Sequence, residues 1–155
     1  MANIYEVRNY EPSQSIGYLM TRVRVEMLAA LDRELAADPH LSSLGVTAAQ
    51  FVVLVRLVGN GSKKSASDLC KELSYDAGAM TRMIDRLEKK GLVRRMRCVQ
   101  DRRLIYLEAT EAGRAAYPRM IAVSVGVQNR FLRGFAPEDA RKLSEYLTRM
   151  LHNAG

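Results

Sequence analysis

The chain has 155 residues, 48% of them hydrophobic, and a formal net charge of +7 at pH 7. This length suits one domain, or one domain with an added dimerisation element, and the apolar residues suffice for a substantial core. No apolar run approaches the 18 or so residues of a membrane-spanning helix, and the first residues lack the pattern of a secretory signal, so we expect a cytoplasmic protein.

Sequence patterns typical of enzymes and metal sites are missing. The two cysteines, Cys70 and Cys98, have neither CxxC nor Cys/His spacing, which argues against a disulfide scaffold and a zinc site. The histidines His40 and His152 are isolated, and no HExxH, GxSxG or paired-carboxylate pattern occurs. The segment GNGSKKS at residues 59–65 lacks the spacing of a phosphate-binding loop. We therefore predict no catalytic activity, no metal and no cofactor.

The first predicted helix covers residues 12–37 and ends before Pro39, with Pro12 in its first turn. A small core cannot cover a helix of this length, so we expect part of it to pack on a partner. Its apolar stripe has spacings of three and four and consists of Ile16, Leu19, Val23, Met27, Leu31 and Leu35.

Two capping boxes, at residues 47–50 and 65–68, predict the starts of the second and third helices. A tight turn at residues 74–75 leads to a fourth helix over residues 76–90, and Gly91 stands where a C′ glycine is expected. Two short helices joined by a tight turn predict a helix-turn-helix.

From residue 92 the apolar period changes to that of strands. Residues 92–97 and 104–108 read as two strands, and residues 98–103 form the polar tip of a hairpin between them. The predicted fold class is therefore mainly α with a small β-hairpin wing (α+β), a winged helix-turn-helix.

Two further helices are predicted at residues 111–131 and 137–152. Pro118 should kink the first of them unless it lies in an early turn. Its apolar side is predicted to contain Ala115, Met120, Val123, Val127 and Phe131. The last helix has a hydrophobic seam that consists of Leu143, Tyr146, Leu147 and Met150.

The basic charge is concentrated in one segment. Residues 62–103 contain 12 basic and 6 acidic residues, so +6 of the net +7 lies there. Such concentration is typical of a nucleic-acid-binding surface.

The fourth helix presents residues suited to reading a major groove. Ala77 and Gly78 are small enough for close approach, and Thr81 can hydrogen-bond a base or contact a thymine methyl group. Arg82 and Arg86 can form bidentate hydrogen bonds with guanine or bind phosphates. Three residues that precede or open the third helix suit contacts with the DNA backbone: Lys64, Ser65 and Ser67.

The hairpin tip is a second candidate DNA-binding element. Arg97, Arg102 and Arg103 can reach phosphates or a narrow minor groove. Asp101 is the acid among them, and we expect it to brace an arginine through a salt bridge.

These motifs together resemble the MarR family, the multiple-antibiotic-resistance-type regulators. The resemblance depends on DAGAMTRMIDRLEKKGLVRR at residues 76–95, DRR at 101–103, T-E-x-G at 110–113 and T-x-x-Q-F at 47–51. It implies a homodimeric transcriptional regulator, usually a repressor, that binds a palindromic operator on double-stranded DNA and in many members releases it on binding a small aromatic or phenolic acid. The family's recognition-helix positions correspond to Thr81, Arg82 and Arg86, and its wing positions to Asp101 and Arg103. Cys98 departs from the pattern, since the wing usually has an acid there.

The resemblance also divides the chain, which we expect to be a single MarR-type unit over residues 1–155. It implies a DNA-binding lobe at residues 47–110 and dimerisation helices at residues 10–37 and 111–155. Effector residues cannot be carried over by motif. Our candidates for holding a carboxylate and an aromatic ring are Tyr18, Arg22 and His40.

Two other interpretations stay open. Cys98 stands beside Arg97 and near Arg102 and Arg103, surroundings typical of a reactive thiol, which would suit a redox-sensing regulator. Alternatively, the chain is a winged-helix module that binds protein, which would not need concentrated charge.

Overall fold

The computed structural model describes residues 3–59, 63–101 and 103–154. Within these residues the chain forms six α-helices and a three-stranded antiparallel sheet, so the predicted fold class is confirmed. The elements are α1 (Ile16–Ala37), α2 (Ala48–Val58), β1 (Lys64–Ser65), α3 (Ala66–Leu73), α4 (Ala77–Lys89), β2 (Val93–Arg97), β3 (Ile105–Ala109), α5 (Glu111–Phe131) and α6 (Pro137–Asn153). None of the described helices is both long and apolar enough to cross a bilayer.

Both predicted capping boxes form. The Thr47 hydroxyl accepts a hydrogen bond from the Gln50 backbone N–H at 3.2 Å, and the Gln50 side chain accepts one from the Thr47 N–H. Ser65 and Asp68 make the same reciprocal pair at the start of α3. These side chains satisfy N–H groups that have no partner within the helix, which is why α2 and α3 begin where they do.

The end of α4 directs the chain into the wing. Gly91 has a φ of 71°, a left-handed conformation that glycine adopts without strain, as the sequence predicted. The N–H of Leu92 donates to the Leu87 carbonyl at 3.0 Å and closes the last turn. The next residue, Val93, already belongs to β2.

The first helix is shorter than predicted. Residues Pro12–Gln14 form a separate 3-10 turn, and α1 begins only at Ile16. Ser15 has extended backbone geometry, and its hydroxyl accepts from the Tyr18 N–H at 3.2 Å. The apolar stripe itself begins at Ile16, so the early start came from placing Pro12 in the first turn of this helix.

The sheet has one strand that the sequence did not predict. The two-residue strand β1 pairs with β3, with Lys64 opposite Leu107, and the strand order is β1-β3-β2. Two residues cannot display an alternating pattern, so only the partner strand defines β1. The predicted hairpin forms in the register that places Arg95 opposite Leu107.

The helix α5 packs close to the start of β2. Gly113 is buried there, and a Cβ atom at this position would lie 2.2 Å from the Leu92 carbonyl oxygen. Pro118 lies at an interior position, and the helix continues through it to Phe131. Ala115, predicted on the packed side, is exposed, whereas Ala116 packs on the core.

The buried core joins α2, α3, α4, the sheet and α5 to the second half of α1. Its largest fully buried side chains include Leu35, Leu54, Leu69, Met80, Ile84, Leu87, Leu92, Leu107 and Met120. The apolar sides of α3 and α4, which contain Leu69 and Met80, Ile84 and Leu87, therefore face inward. The opposite side of α4 is left facing outward.

Candidate nucleic-acid interface

A three-residue turn sets the angle between α3 and α4. Ser74 has a φ of 54°, and the Tyr75 N–H donates to the Cys70 carbonyl at 3.1 Å. The Asp76 carboxylate then accepts from the Ala79 N–H at 2.9 Å and starts α4. The arrangement is the helix-turn-helix that the sequence predicted.

The outward surface of α4 brings together the predicted recognition residues. Ala77, Gly78, Thr81, Arg82 and Arg86 are all exposed. The Thr81 hydroxyl donates to the Ala77 carbonyl at 2.8 Å, so its methyl group and a lone pair remain for an incoming base. Among the described residues, neither Arg82 nor Arg86 has an ion-pair partner. Both guanidinium groups are thus available to an anion.

The three predicted backbone contacts near α3 differ in their surroundings. The Lys64 ammonium lies 2.5 Å from a Glu72 carboxylate oxygen, and its side chain is only 13% exposed. The Ser65 hydroxyl is engaged in the capping box, where it also donates to Asp68 at 2.7 Å. Only Ser67 is exposed. The DNA contacts of Lys64 and Ser65 stay predictions, and these internal partners weaken them.

The wing tip is closed by its own hydrogen bonds. The Cys98 N–H donates to the Leu104 carbonyl at 2.9 Å, and the Leu104 N–H donates to the Asp101 carbonyl at 3.0 Å. The Asp101 carboxylate accepts from the Arg103 N–H at 2.9 Å. Asp101 was expected to brace an arginine side chain. In the described part of the wing it caps the turn, since a short carboxylate reaches the backbone two residues on, and its salt bridge to an arginine side chain stays a prediction.

Two predicted arginines, Arg97 and Arg103, are exposed on this wing. The third, Arg102, lies outside the described residues. Cys98 is half-buried, and its thiol donates to the Gln100 side chain at 3.2 Å. Its redox role stays a prediction.

Four of the basic residues counted above are held by internal partners. Besides Lys64, Lys90 donates to the Gln50 side chain at 2.7 Å and to the Gly45 carbonyl, and burial lowers the pKa of its ammonium. Arg94 pairs with Glu108 across the hairpin. Arg95 pairs with Asp85 and Glu88 of α4. Spacing alone could not reveal these pairs, so the charge count overestimates the free positive charge.

The three effector candidates are not brought together within one chain. The Tyr18 hydroxyl accepts from Arg22 at 3.2 Å, and this hydrogen bond is the main cause of a raised Arg22 pKa. His40 lies beyond the other end of α1, roughly 30 Å away at the rise of an α-helix. A small molecule cannot contact all three residues in one protomer, and the role of each in holding an effector stays a prediction.

A cavity of about 490 Å³ lies between the end of α1 and α5. It is next to His40, whose backbone N–H donates to the Asp38 carboxylate at 2.9 Å. Arg119 reaches Asp38 across it at 2.6 Å, and Arg130 reaches Glu34 at 2.9 Å. The hydrogen bond from Arg119 holds the pKa of the Asp38 carboxyl below its usual value. The lining is Glu34, Ala37, Asp38, Pro39, Arg119, Ala122, Val123, Gly126, Val127 and Arg130.

Known proteins are similar to this chain in sequence and architecture. A family model described as "MarR family" matches residues 46–105. The HTH-type transcriptional repressor MdtR of Bacillus subtilis is 30% identical over 140 residues, which cover 90% of this chain and 83% of MdtR. Wild-type apo MarR from E. coli is 28% identical with a TM-score of 0.71, covering 88% of this chain and 96% of its own. The Bordetella bronchiseptica protein BpsR, whose DNA binding is regulated by 6-hydroxynicotinic acid, is 24% identical with a TM-score of 0.76, covering 91% and 96%.

Proposed function

The chain belongs to the MarR family of transcriptional regulators, and from this premise we propose that it is a repressor that binds a palindromic operator as a homodimer. We propose further that a small aromatic or phenolic acid releases it from DNA.

The observation that carries the proposal is the outward surface of α4. Arg82 and Arg86 are four residues apart, so they lie on one side of the helix with their Cβ atoms about 6 Å apart. Met80, Ile84 and Leu87 anchor the opposite side in the core, which prevents the helix from rotating. Two free guanidinium groups on a rigid, exposed helix match the edge of guanine or adjacent phosphates.

The wing adds a second contact in this proposal. Arg97 and Arg103 are exposed near the tip of the hairpin. We propose that they contact phosphates or the minor groove next to the major groove that α4 enters. Arg102 is a third candidate from the sequence.

Uncovered apolar surface supports the homodimer. None of the residues of α6 is buried, and its seam includes Tyr146 at 54% exposure. The first half of α1 likewise exposes Leu19 and Val23. A second copy that covers both helices would remove this surface from water. To bind successive major grooves, the dimer must hold its two α4 helices about 34–36 Å apart.

Two observations support the effector. BpsR, a similar fold, is regulated by 6-hydroxynicotinic acid, and the cavity beside Arg119 and Arg130 has the size of a small-ligand site. An acid bound there would compete with Asp38 and Glu34 for these arginines. Tyr18 and Arg22 stay candidates where a partner's surface would complete their environment.

A salt titration tests the proposal. We would measure the dissociation constant for genomic fragments selected by the purified protein, and for random duplex, from low to physiological salt. Binding should weaken linearly in a log–log plot, with a slope of about −0.9 for each neutralised phosphate. Undetectable binding to both duplexes at low salt would reject DNA binding and favour a protein-interaction module.

A further inference from the structure

One ion cluster connects the recognition helix to the wing. The Arg95 guanidinium of β2 lies 2.6 Å from the Asp85 carboxylate and also pairs with Glu88, both on α4. The Arg95 backbone N–H donates to the other Glu88 oxygen at 3.2 Å. Two carboxylates from successive turns of α4 therefore hold one side chain of the hairpin, and the hydrogen bond to Asp85 is the main cause of a raised Arg95 pKa.

The position of this cluster matters more than its energy. Asp85 is three residues from Arg82 and neighbours Arg86, so it borders the proposed base-reading surface. Arg95 is two residues from Arg97 on the same strand, so their side chains leave the same face of the hairpin. The cluster thus joins the surface that carries Arg82 to the strand that carries Arg97.

Arg95 itself is poorly placed for DNA. Both of its terminal nitrogens are engaged by carboxylates, and its side chain is 33% exposed. Its charge offsets the two acids that would otherwise repel phosphates beside α4.

We propose that Arg95 is a positioning residue, which fixes the angle of the wing to the recognition helix so that both reach DNA in one register. The proposal rests on the proposed DNA-binding function and assigns a residue that contacts no nucleotide. Its planar fork can span Asp85 and Glu88 together, which a lysine point charge cannot.

Arg94 is a matched control. It is the adjacent residue of β2, and its guanidinium pairs with Glu108, the residue opposite it in the hairpin. Arg94→Ala removes the same charge from the same strand but breaks no link to α4.

The first measurement needs no DNA. Amide hydrogen exchange would be followed in β2 and β3 of the full chain. Arg95→Ala should speed exchange near the wing tip while the amides of α2 and α5 stay protected, and Arg94→Ala should produce a smaller change. Equal exchange in the two variants would overturn the proposal. Arg95→Lys, which keeps the charge, should resemble Arg95→Ala.

The second measurement is a hydroxyl-radical footprint on a selected duplex. The double variant Asp85→Asn/Glu88→Gln keeps Arg95 and removes two negative charges, so simple electrostatics would tighten binding. A positioning role predicts the opposite at the wing: protection there falls while protection under α4 persists.

A mutant cycle that combines Arg95→Ala with loss of the wing arginines, measured by DNA binding, completes the test. In the wild-type chain Arg95→Ala should weaken binding about tenfold, but in the Arg97→Ala/Arg103→Ala background it should have almost no further effect. Additive losses, or uniform loss of the footprint, would overturn the proposal. Absence of any duplex binding by the wild-type chain would instead reject the proposed function, whereas the exchange result would still test the link.

Discussion

The basic side chains of the winged-helix lobe, residues 47–110, divide into free and held groups. Arg82, Arg86 and Arg97 are exposed, whereas Lys64 and Lys90 are tied to other parts of the chain. The held cations stabilise the folded lobe. Their side chains are already ordered by internal partners, so they lose less conformational entropy there than they would on being ordered elsewhere. Removing a free cation should lower DNA affinity through the loss of a direct contact, whereas the held Arg95 should act only through the position of the wing.

Replacing Arg82 or Arg86 by alanine should weaken binding to a selected operator by about 1–3 kcal/mol if the side chain makes a bidentate base contact. The measurement is fluorescence anisotropy on operator and random duplex in parallel. A base contact lowers operator affinity selectively, and equal losses on both duplexes would mark a phosphate contact. Arg133→Ala, at an exposed arginine between α5 and α6, serves as the control and should have little effect.

The Asp38–Arg119 pair predicts a pH-dependent stability. Asp38 is buried, and the hydrogen bond from Arg119 lowers the pKa of its carboxyl in the folded chain. The stability it contributes is present above the unfolded pKa of about 3.9 and is lost as pH falls through the lower folded value. The melting temperature of Asp38→Asn should therefore lie below wild type at pH 7, and the gap should narrow below about pH 4.

Glu145→Gln is the control for this pH series. Glu145 pairs with Arg141 on exposed α6, with side chains that are 57% and 62% exposed. Such pairs contribute little, so its melting curve should follow wild type at every pH. A gap for Asp38→Asn that is constant with pH would contradict the assigned cause.

At the level of elements, polar side chains determine where the helices of the lobe begin. Thr47, Ser65 and Asp76 each accept a hydrogen bond from an N–H in the first turn of the helix that follows. The apolar sides of α3 and α4 then decide which residues face outward. A residue that caps a helix, such as Ser65, and a predicted DNA contact, such as Ser67, can therefore lie two positions apart.

Ser65 and Ser67 provide a test of that distinction. Ser65→Ala should lower the free energy of unfolding by about 1 kcal/mol because it removes the cap of α3. Ser67→Ala, at an exposed position, should leave stability nearly unchanged and lower DNA affinity if the predicted phosphate contact exists. Urea denaturation and duplex binding, measured on both variants, separate the roles. Equal stability of the two variants would refute the assignment of the cap.

For the whole molecule, the uncovered surfaces of α1 and α6 are the dominant feature. Leu19, Val23, Leu143, Tyr146 and Met150 are all at least 40% exposed. Scattered exposed apolar residues are ordinary, but two long helices with uncovered apolar seams support the proposed homodimer. The predicted division into a lobe and dimerisation helices depends on this interface.

Tyr146→Glu should convert the proposed dimer to a monomer, because it places a charge in the seam of α6. Light scattering would report half the molar mass, and affinity for a palindromic operator should fall at least about a hundredfold as the two half-sites bind independently. Thr148→Glu adds the same charge on the other side of α6 and should remain dimeric. A wild-type chain that is already monomeric would contradict the homodimer.

Much of this organisation can be predicted from local patterns. The capping boxes, the Gly91 stop and the change of period at the hairpin are short-range features, and each forms within a few residues of where it was predicted. The start of α1 was wrong by four residues, because Pro12 was placed in its first turn, whereas Pro12 opens a separate 3-10 turn and Ser15 caps α1.

The sequence by itself determined the order of the six helices and the hairpin, the family and the outward side of α4, because apolar period, caps and motif spacing are properties of neighbouring residues. Only the tertiary structure decided which cations are free. Lys64 meets Glu72, Lys90 meets Gln50, and Arg95 meets Asp85 and Glu88 through the packing of separate elements. A count of charges in the sequence does not show these partners, because they depend on where the fold places a carboxylate or another hydrogen-bond acceptor within about 4 Å of the cation.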